Sequence, residues 1–345
     1  MMKLLKIMKN QINKIKVGLI GAGYWGRNYL RVLNKLSVLE IVCDIDSKIL
    51  KERKRDFPKI KMTVKASDVV KNKNISAVVI ATPADTHYRL AKKFLGAGKD
   101  VLVEKPFVFS LKQGRELMKL AEKKKRILMI DHLFLYHPAL PKIKEIIKKG
   151  VLGKVFYLYS TRLNLGIIRE KENALWSIAP HDISMILDIA GEMPKEVSAK
   201  GFKYLSKKNI DSASAVLRFG KNKTTAEFFV SWINPFKERR LSVIGSKGML
   251  VFDDMAKDKL KIYRYEIKKI KNKETGYIKT DVFKKGESIV KISSQEPLDN
   301  LTRHFLDCAK MRKTPKTDGI EACHVLKVLE ACEKSIYKNG ASIKI

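Results

Sequence analysis

The first third of the chain repeats one pattern. Short solid runs of apolar residues alternate with longer stretches that carry an apolar stripe at helical spacing. The solid runs are Lys16–Ile20, Leu39–Cys43, Ile60–Val64, Ile75–Ile80, Asp100–Glu104 and Ile127–Ile130. All six predict strands, and Lys16–Ile20, Ile75–Ile80 and Asp100–Glu104 read as buried ones. Between them, Tyr29, Leu30, Val32, Leu33 and Leu36 form a helical stripe. Further helices are predicted near Lys48–Arg55, after Ser67, over Thr86–Leu95 and over Leu111–Lys125. Strands alternating with helices predict an α/β fold, a doubly wound parallel sheet with right-handed crossovers. Ligands of such sheets sit beyond the carboxyl ends of the strands, so residues just after strands carry the information.

The pattern changes near Tyr136, which sets expected domains of 1–135 and 136–345. Pro138–Gly150 predicts one amphipathic helix, and Val155–Leu165 a long strand with one wet face. Strand-like runs recur at Ser212–Phe219, Thr224–Trp232, Arg239–Gly245 and Lys259–Tyr265, with no helix between them. That spacing predicts an α+β domain with a large, mostly antiparallel open sheet, available as a subunit interface. Two helices, Leu298–Met311 and Gly319–Lys338, follow. The basic start, Met1–Lys9, is interrupted by lysines too often for a signal sequence and is expected to be a partly disordered lead-in.

Three strand ends carry candidate chemistry. Gly21-Ala22-Gly23-Tyr24-Trp25-Gly26 joins the first strand to the first helix. Gly21 permits a tight turn, Gly23 lets a pyrophosphate approach the backbone, and Gly26 lets helix and strand pack closely. Asp44 follows the second strand about 20 residues later, where a ribose-binding carboxylate belongs. The context predicts a dinucleotide site; a purely structural turn is the alternative. Ala81-Thr82-Pro83 with His87 follows a strand and precedes a helix that Asp85 or Thr86 is placed to cap. Thr82 there either meets the cofactor or belongs to a plain capped turn. In Glu104-Lys105-Pro106, proline restricts Lys105 to extended backbone at a strand end. An ammonium held there can stabilise an alkoxide; a surface lysine is the alternative. His181, in Trp176-Ser177-Ile178-Ala179-Pro180-His181-Asp182, falls at a helix start, where the dipole favours neutral imidazole and a base remains available. The alternatives are a structural histidine and Asp182 as the helix cap.

Composition narrows the classes. The 345 residues allow two domains with sizeable cores. No run approaches the roughly 18 apolar residues of a membrane span. Four scattered cysteines and six dispersed histidines suggest neither a disulfide framework nor a metal site, and place the chain in the cytoplasm. The net charge of +35 would attract polyanions, but no nucleic-acid motif accompanies it; it favours entry of an anionic cofactor and substrate.

The glycine motif, Ala81-Thr82-Pro83 with His87, and Glu104-Lys105-Pro106, in this order, resemble the glucose–fructose oxidoreductase/inositol dehydrogenase (Gfo/Idh/MocA) family from about Ile15 to Ser335. The resemblance implies NAD(P)-dependent oxidation of sugar or cyclitol hydroxyls, with Lys105 and His181 as catalytic residues and a homodimer or homotetramer built on the second sheet. Cofactor contacts are then expected from Gly21, Gly23, Tyr24, Trp25, Gly26, Asp44, Ala81, Thr82, Pro83, His87, Glu104 and Lys105. Asp44 favours NAD over NADP, because it repels a 2′-phosphate. Tyr159 through Gly166, with Trp176 through Asp182, is similar to the family's nucleotide-sugar 3-dehydrogenases, which act on UDP-N-acetylglucosamine or its uronic acid on routes to surface polysaccharides. That similarity makes Arg162, Asn164, Arg169, Trp176 and His181 candidate substrate contacts. Many relatives carry an aspartate four residues before the histidine. Ser177 stands there and supplies no charge, which shifts proton transfer toward Lys105. The alternatives are another sugar or cyclitol, or a catalytically silent sensor of cofactor or sugar.

Overall fold

The computed structural model describes residues 15–166, 168, 170, 172–205, 207–220, 224–271 and 278–345. Arg169 and the Met1–Lys9 lead-in lie outside them. The chain divides into two units. The first comprises Met1–Tyr136 with Glu296–Leu326, and the second His137–Gln295 with Lys327–Ile345.

The strands of the first unit are β1 (Lys16–Ile20), β2 (Leu39–Cys43), β3 (Lys61–Thr63), β4 (Ile75–Ile80), β5 (Asp100–Val103) and β6 (Leu128–Ile130). Its helices up to that point are α1 (Gly26–Lys35), α2 (Ser47–Asp56), α3 (Ala66–Lys71), α4 (His87–Gly96) and α5 (Leu111–Lys123). The sheet runs β3-β2-β1-β4-β5-β6 and is parallel throughout. This is the doubly wound dinucleotide-binding order, which reverses between β1 and β4. The apolar runs of β1 and β4 are buried on both faces, as their composition requires.

Residues 296–326 were expected in the second domain and belong to the first unit. The physical reason is the apolar stripe of Pro297–Met311. Its Leu298, Leu301, Phe305 and Leu306 are members of the same core cluster as Val17, Tyr29, Leu30 and Leu33. Polar pairs flank that packing: Arg31 with Glu296, Lys35 with Asp299, and Arg312, which grips Asp100 through two nitrogens at 2.7 and 2.9 Å.

The second unit carries a nine-stranded sheet: β7 (Val155–Leu165), β8 (Glu196–Phe202), β9 (Ser212–Arg218), β10 (Thr225–Ser231), β11 (Ile233–Gly245), β12 (Gly248–Asp253), β13 (Leu260–Lys271), β14 (Ile278–Ile289) and β15 (Ile343–Lys344). The order is β14-β13-β12-β11-β7-β10-β9-β8-β15, antiparallel except where β10 meets β7. Strand β11 begins six residues earlier than the apolar pattern predicts. Its register shifts between Ile233 and Glu238, around Pro235, and this bulge hides the alternation. Most of β14 is exposed, so no alternation marks it. Helices α6 (Ala139–Lys148), α7 (Ala174–Ile178) and α8 (Pro180–Ala190) belong to this unit, and the chain's later helices are α9 (Pro297–Met311) and α10 (Gly319–Tyr337). Among the described residues no helix is long and apolar enough to cross a membrane.

Candidate functional site

The glycine turn is built by close approach. Gly21 adopts φ +91°, and a Cβ there would lie 2.6 Å from the Ala81 carbonyl oxygen. A Cβ on Gly26 would stand 2.1 Å from the Gly21 carbonyl oxygen. Gly23 differs: a Cβ there would meet nothing within 4 Å. The first two glycines are demanded by the fold, whereas Gly23 faces open space. Helix α1 begins beside that space with no acidic residue in its first turn and no side-chain cap from Trp25. Its amide end suits a pyrophosphate. Tyr24 is exposed, with Arg27 over its ring.

Asp44 follows β2 and braces this turn. Its Oδ2 accepts from the Ala22 amide at 2.7 Å and its Oδ1 from the Asp46 amide at 3.0 Å. Arg53 Nε donates to the Ala22 carbonyl at 3.1 Å. The carboxylate is half-buried and fixed at the carboxyl end of β2, as ribose recognition requires.

After β4, the Thr86 hydroxyl donates to the Pro83 carbonyl, and Thr82 Oγ1 lies 2.6 Å from Thr86 Oγ1. The expected cap on α4 is absent: Thr86 occupies the N-cap position, but its hydroxyl turns back to Pro83. His87 is 1% exposed and stands between two backbone carbonyls, with Nδ1 2.9 Å from Pro106 O and Nε2 2.9 Å from Thr82 O. It therefore ties the loop after β4 to the loop after β5. Burial lowers its pKa, against the raising effect of the carbonyls.

At the end of β5, Glu104 is buried, and its Oε2 accepts from the Lys105 amide at 3.0 Å. Lys105 is half-buried and its peptide bond to Pro106 is cis. Asp131, directly after β6, belongs to none of the sequence motifs. It is 1% exposed and accepts from Tyr29 OH at 2.5 Å and from Trp25 Nε1 at 3.4 Å, both beside the glycine turn. The signal was available: an acid one residue past an apolar strand, the same position as Glu104. Burial first, then the Asp131 charge and a hydrogen bond to its carboxyl, push the Glu104 pKa well above the usual carboxylate range.

The second unit gathers its own cluster. Helix α8 starts with Ala179 as N-cap and Pro180 in the first turn, so His181 sits at the positive end of the helix dipole, half-buried. Asp182 is not the cap. It is fully buried and accepts from Arg162 Nε at 2.7 Å and from the Ser160 hydroxyl, both on β7. Arg162, expected to contact substrate, is buried and braces the turn that carries His181. Trp176 is likewise buried, with Nε1 donating to Glu333 at 3.1 Å. Asn164 remains half-buried near the end of β7, and Ser177 is buried in α7. Among the described residues no group of three His, Cys, Asp or Glu side chains is placed to hold a metal ion.

Residues 15–132 match the oxidoreductase family described as NAD-binding Rossmann fold, and residues 141–251 match the GFO/IDH/MocA C-terminal domain. The chain belongs to the Gfo/Idh/MocA oxidoreductase family. Among curated relatives, an uncharacterized oxidoreductase, YdgJ, of Escherichia coli K12 is 36% identical over 43% of this chain and 43% of its own length. The chain thus spans about half the length of the first curated relatives it matches. A UDP-N-acetylglucosamine 3-dehydrogenase of Acidithiobacillus ferrooxidans is 27% identical over 66% of this chain and 71% of its own. The solved structure of UDP-N-acetylglucosamine 3-dehydrogenase GnnA from Acidithiobacillus ferrooxidans aligns with TM-score 0.78 at 22% identity. It covers 94% of this chain and 98% of that one, a likeness of fold. Of the cofactor residues expected in this Gfo/Idh/MocA chain, Gly21, Gly23, Trp25, Gly26, Asp44, Thr82, His87, Glu104 and Lys105 all lie at the carboxyl edge of one sheet.

Proposed function

We propose that this chain oxidises a secondary hydroxyl of a nucleotide sugar, C3 of UDP-N-acetylglucosamine or its uronic acid, with NAD⁺ as acceptor. The observation that carries the reading is Lys105. It stands at the carboxyl end of β5, on the same sheet edge as the glycine turn, with its amide held by the buried Glu104. The 27% identical dehydrogenase of that substrate supports the choice of sugar.

Bound NAD⁺ supplies the hydride acceptor. Gly23 admits the pyrophosphate and α1 offers it amide groups. Asp44 accepts the hydroxyls of the adenosine ribose and repels a 2′-phosphate. The Lys105 ammonium donates a hydrogen bond to the sugar oxygen and stabilises the negative charge that grows there as the carbinol hydrogen leaves. His181 accepts the hydroxyl proton, its neutral form favoured at a helix N-terminus. The products are a 3-keto sugar, reduced cofactor and one proton. In this reading the protein works as a homo-oligomer joined through the nine-stranded sheet.

The test is native protein incubated with NAD⁺ and a panel of UDP-sugars, inositols and free sugars. Reduced cofactor is followed by absorbance and the product by mass spectrometry. The reading expects a two-dalton loss on UDP-N-acetylglucosamine or its uronic acid. Turnover of inositols alone would replace the substrate, and no turnover of any alcohol would replace the enzyme with a sensor.

A further inference from the structure

Strands β5 and β6 pair in parallel, with Val103 opposite Ile130 and the Asp131 amide donating to the Val103 carbonyl at 2.8 Å. Glu104 and Asp131 are the next residues on each strand. They are therefore neighbours on adjacent strands, roughly 4.8 Å apart in the backbone, with side chains on the same side. Both are buried, at 7% and 1% exposure. One oxygen of each is accounted for: Glu104 Oε2 by the Lys105 amide, Asp131 Oδ2 by Tyr29 and Trp25. Glu104 Oε1 and Asp131 Oδ1 are sealed from solvent, and no N–H or O–H of the described residues reaches either. Asp131 is the carboxyl beside Glu104 that, after burial, holds the Glu104 pKa well above the usual carboxylate range.

A pair of carboxylates has acceptors only, so a hydrogen bond between them requires a proton. Two adjacent buried carboxyls cannot both ionise, because each disfavours the charge of the other. We propose that Glu104 and Asp131 share a single proton, forming a singly charged acid pair that positions Lys105 against the glycine helix. Glu104 holds the Lys105 main chain, Asp131 holds Tyr29 and Trp25, and the proton joins the two. The groups facing the pair are Lys105, whose charge favours ionisation of Glu104, and Tyr29, which stays an O–H donor because burial and the two acids raise its pKa well above normal. Tyr136 adds to that effect on Tyr29. The pair touches no reacting atom. Its single negative charge stabilises the ammonium form of Lys105, and in this it rests on the role proposed for that lysine.

The experiment uses the full chain with NAD⁺ bound. Infrared spectra of the wild type at neutral pH are expected to show a protonated-carboxyl C=O band that shifts in heavy water. Glu104→Gln and Asp131→Asn each keep a donor between the two positions and leave one negative charge, so both fold and both lose the band. The folding constant supplies a second readout. The pair keeps one proton in the fold that the unfolded chain releases, so wild-type stability falls as pH rises above about 5, by about tenfold per pH unit more than Glu104→Gln. A missing band in the wild type, or a band surviving in both variants, overturns the shared proton. The double variant Glu104→Gln/Asp131→Asn removes the charge. The ammonium limb of its kcat/KM profile is expected about one unit lower, with both single variants unmoved. An unmoved double variant overturns the positioning role. Failure to oxidise any sugar would remove the proposed function and leave the infrared result standing.

Discussion

Arg162 Nε lies 2.7 Å from Asp182 Oδ2, an ion pair whose side chains are 7% and 0% exposed. The pair links β7 to the first turn of the helix that presents His181. Removing one partner leaves an uncompensated charge in a dry place, which typically destabilises by about 3–5 kcal/mol. Arg162→Ala or Asp182→Ala is expected to lower the urea midpoint of the second unit accordingly. Arg162→Met combined with Asp182→Leu is expected to recover most of that loss. A stable Asp182→Ala protein would show that the pair is not what holds the turn.

The two glycines of the turn separate folding from binding. Gly26→Ala forces a Cβ onto the Gly21 carbonyl oxygen and is expected to disorder the turn and abolish NAD binding. Gly23→Ala meets no protein atom. It is expected to melt like the wild type and to bind NAD at least tenfold more weakly, about 1.4 kcal/mol. Calorimetric titration beside thermal melting distinguishes the two.

Asp44 is the residue proposed to set cofactor choice. Asp44→Asn retains an acceptor for the Ala22 amide and removes the charge that opposes a 2′-phosphate. The ratio of NADP to NAD affinity is expected to rise about tenfold or more, equivalent to about 1.4 kcal/mol. Fluorescence titration with both reduced cofactors measures it, and an unchanged ratio assigns the discrimination elsewhere.

Lys105→Ala removes the ammonium from the end of β5. Turnover on the accepted sugar is expected to fall by about 10²–10⁴, with NAD affinity changed far less. Near-normal turnover would hand the chemistry to His181.

His137 gives the second unit an acid limit. Its side chain is 6% exposed, its Nδ1 accepts from the Ala139 amide at 3.1 Å, and burial lowers its pKa from the ordinary 6.5 to about 4. The unfolded chain therefore binds a proton that the fold refuses between these values. The stability of the neutral form is complete above pH 6.5, erodes as pH falls through the window, and is gone below about 4. The loss approaches about 3 kcal/mol. His137→Asn is expected to flatten the slope of stability against pH across that interval.

Much of the first unit was legible because its strands are buried on both faces, so Ile75–Ile80 stands out as a solid apolar block. The glycines were legible because each of Gly21 and Gly26 answers a steric demand that a sequence displays. Asp131 was not, since a lone acid after a strand acquires meaning only when β6 is known to lie beside β5. Arg162 and Trp176 were legible only as polar tips on large side chains; their partners Asp182 and Glu333 lie too far along the chain for spacing to reveal. The placement of residues 296–326 depended on a contact between stripes far apart in the chain, which periodicity does not encode.

That long-range contact has a consequence for synthesis. The core around Tyr29 and Leu33 is completed by Leu298, Leu301 and Phe305. A ribosome that has released Ile130 still has about 170 residues to translate before those side chains emerge, roughly 10–30 s at ordinary elongation rates. Throughout that interval the nascent chain carries an apolar flank on α1 that nothing yet covers, a natural landing place for chaperones. The helix that carries the glycine turn is thereby expected to gain its full packing only after Phe305 has left the ribosome.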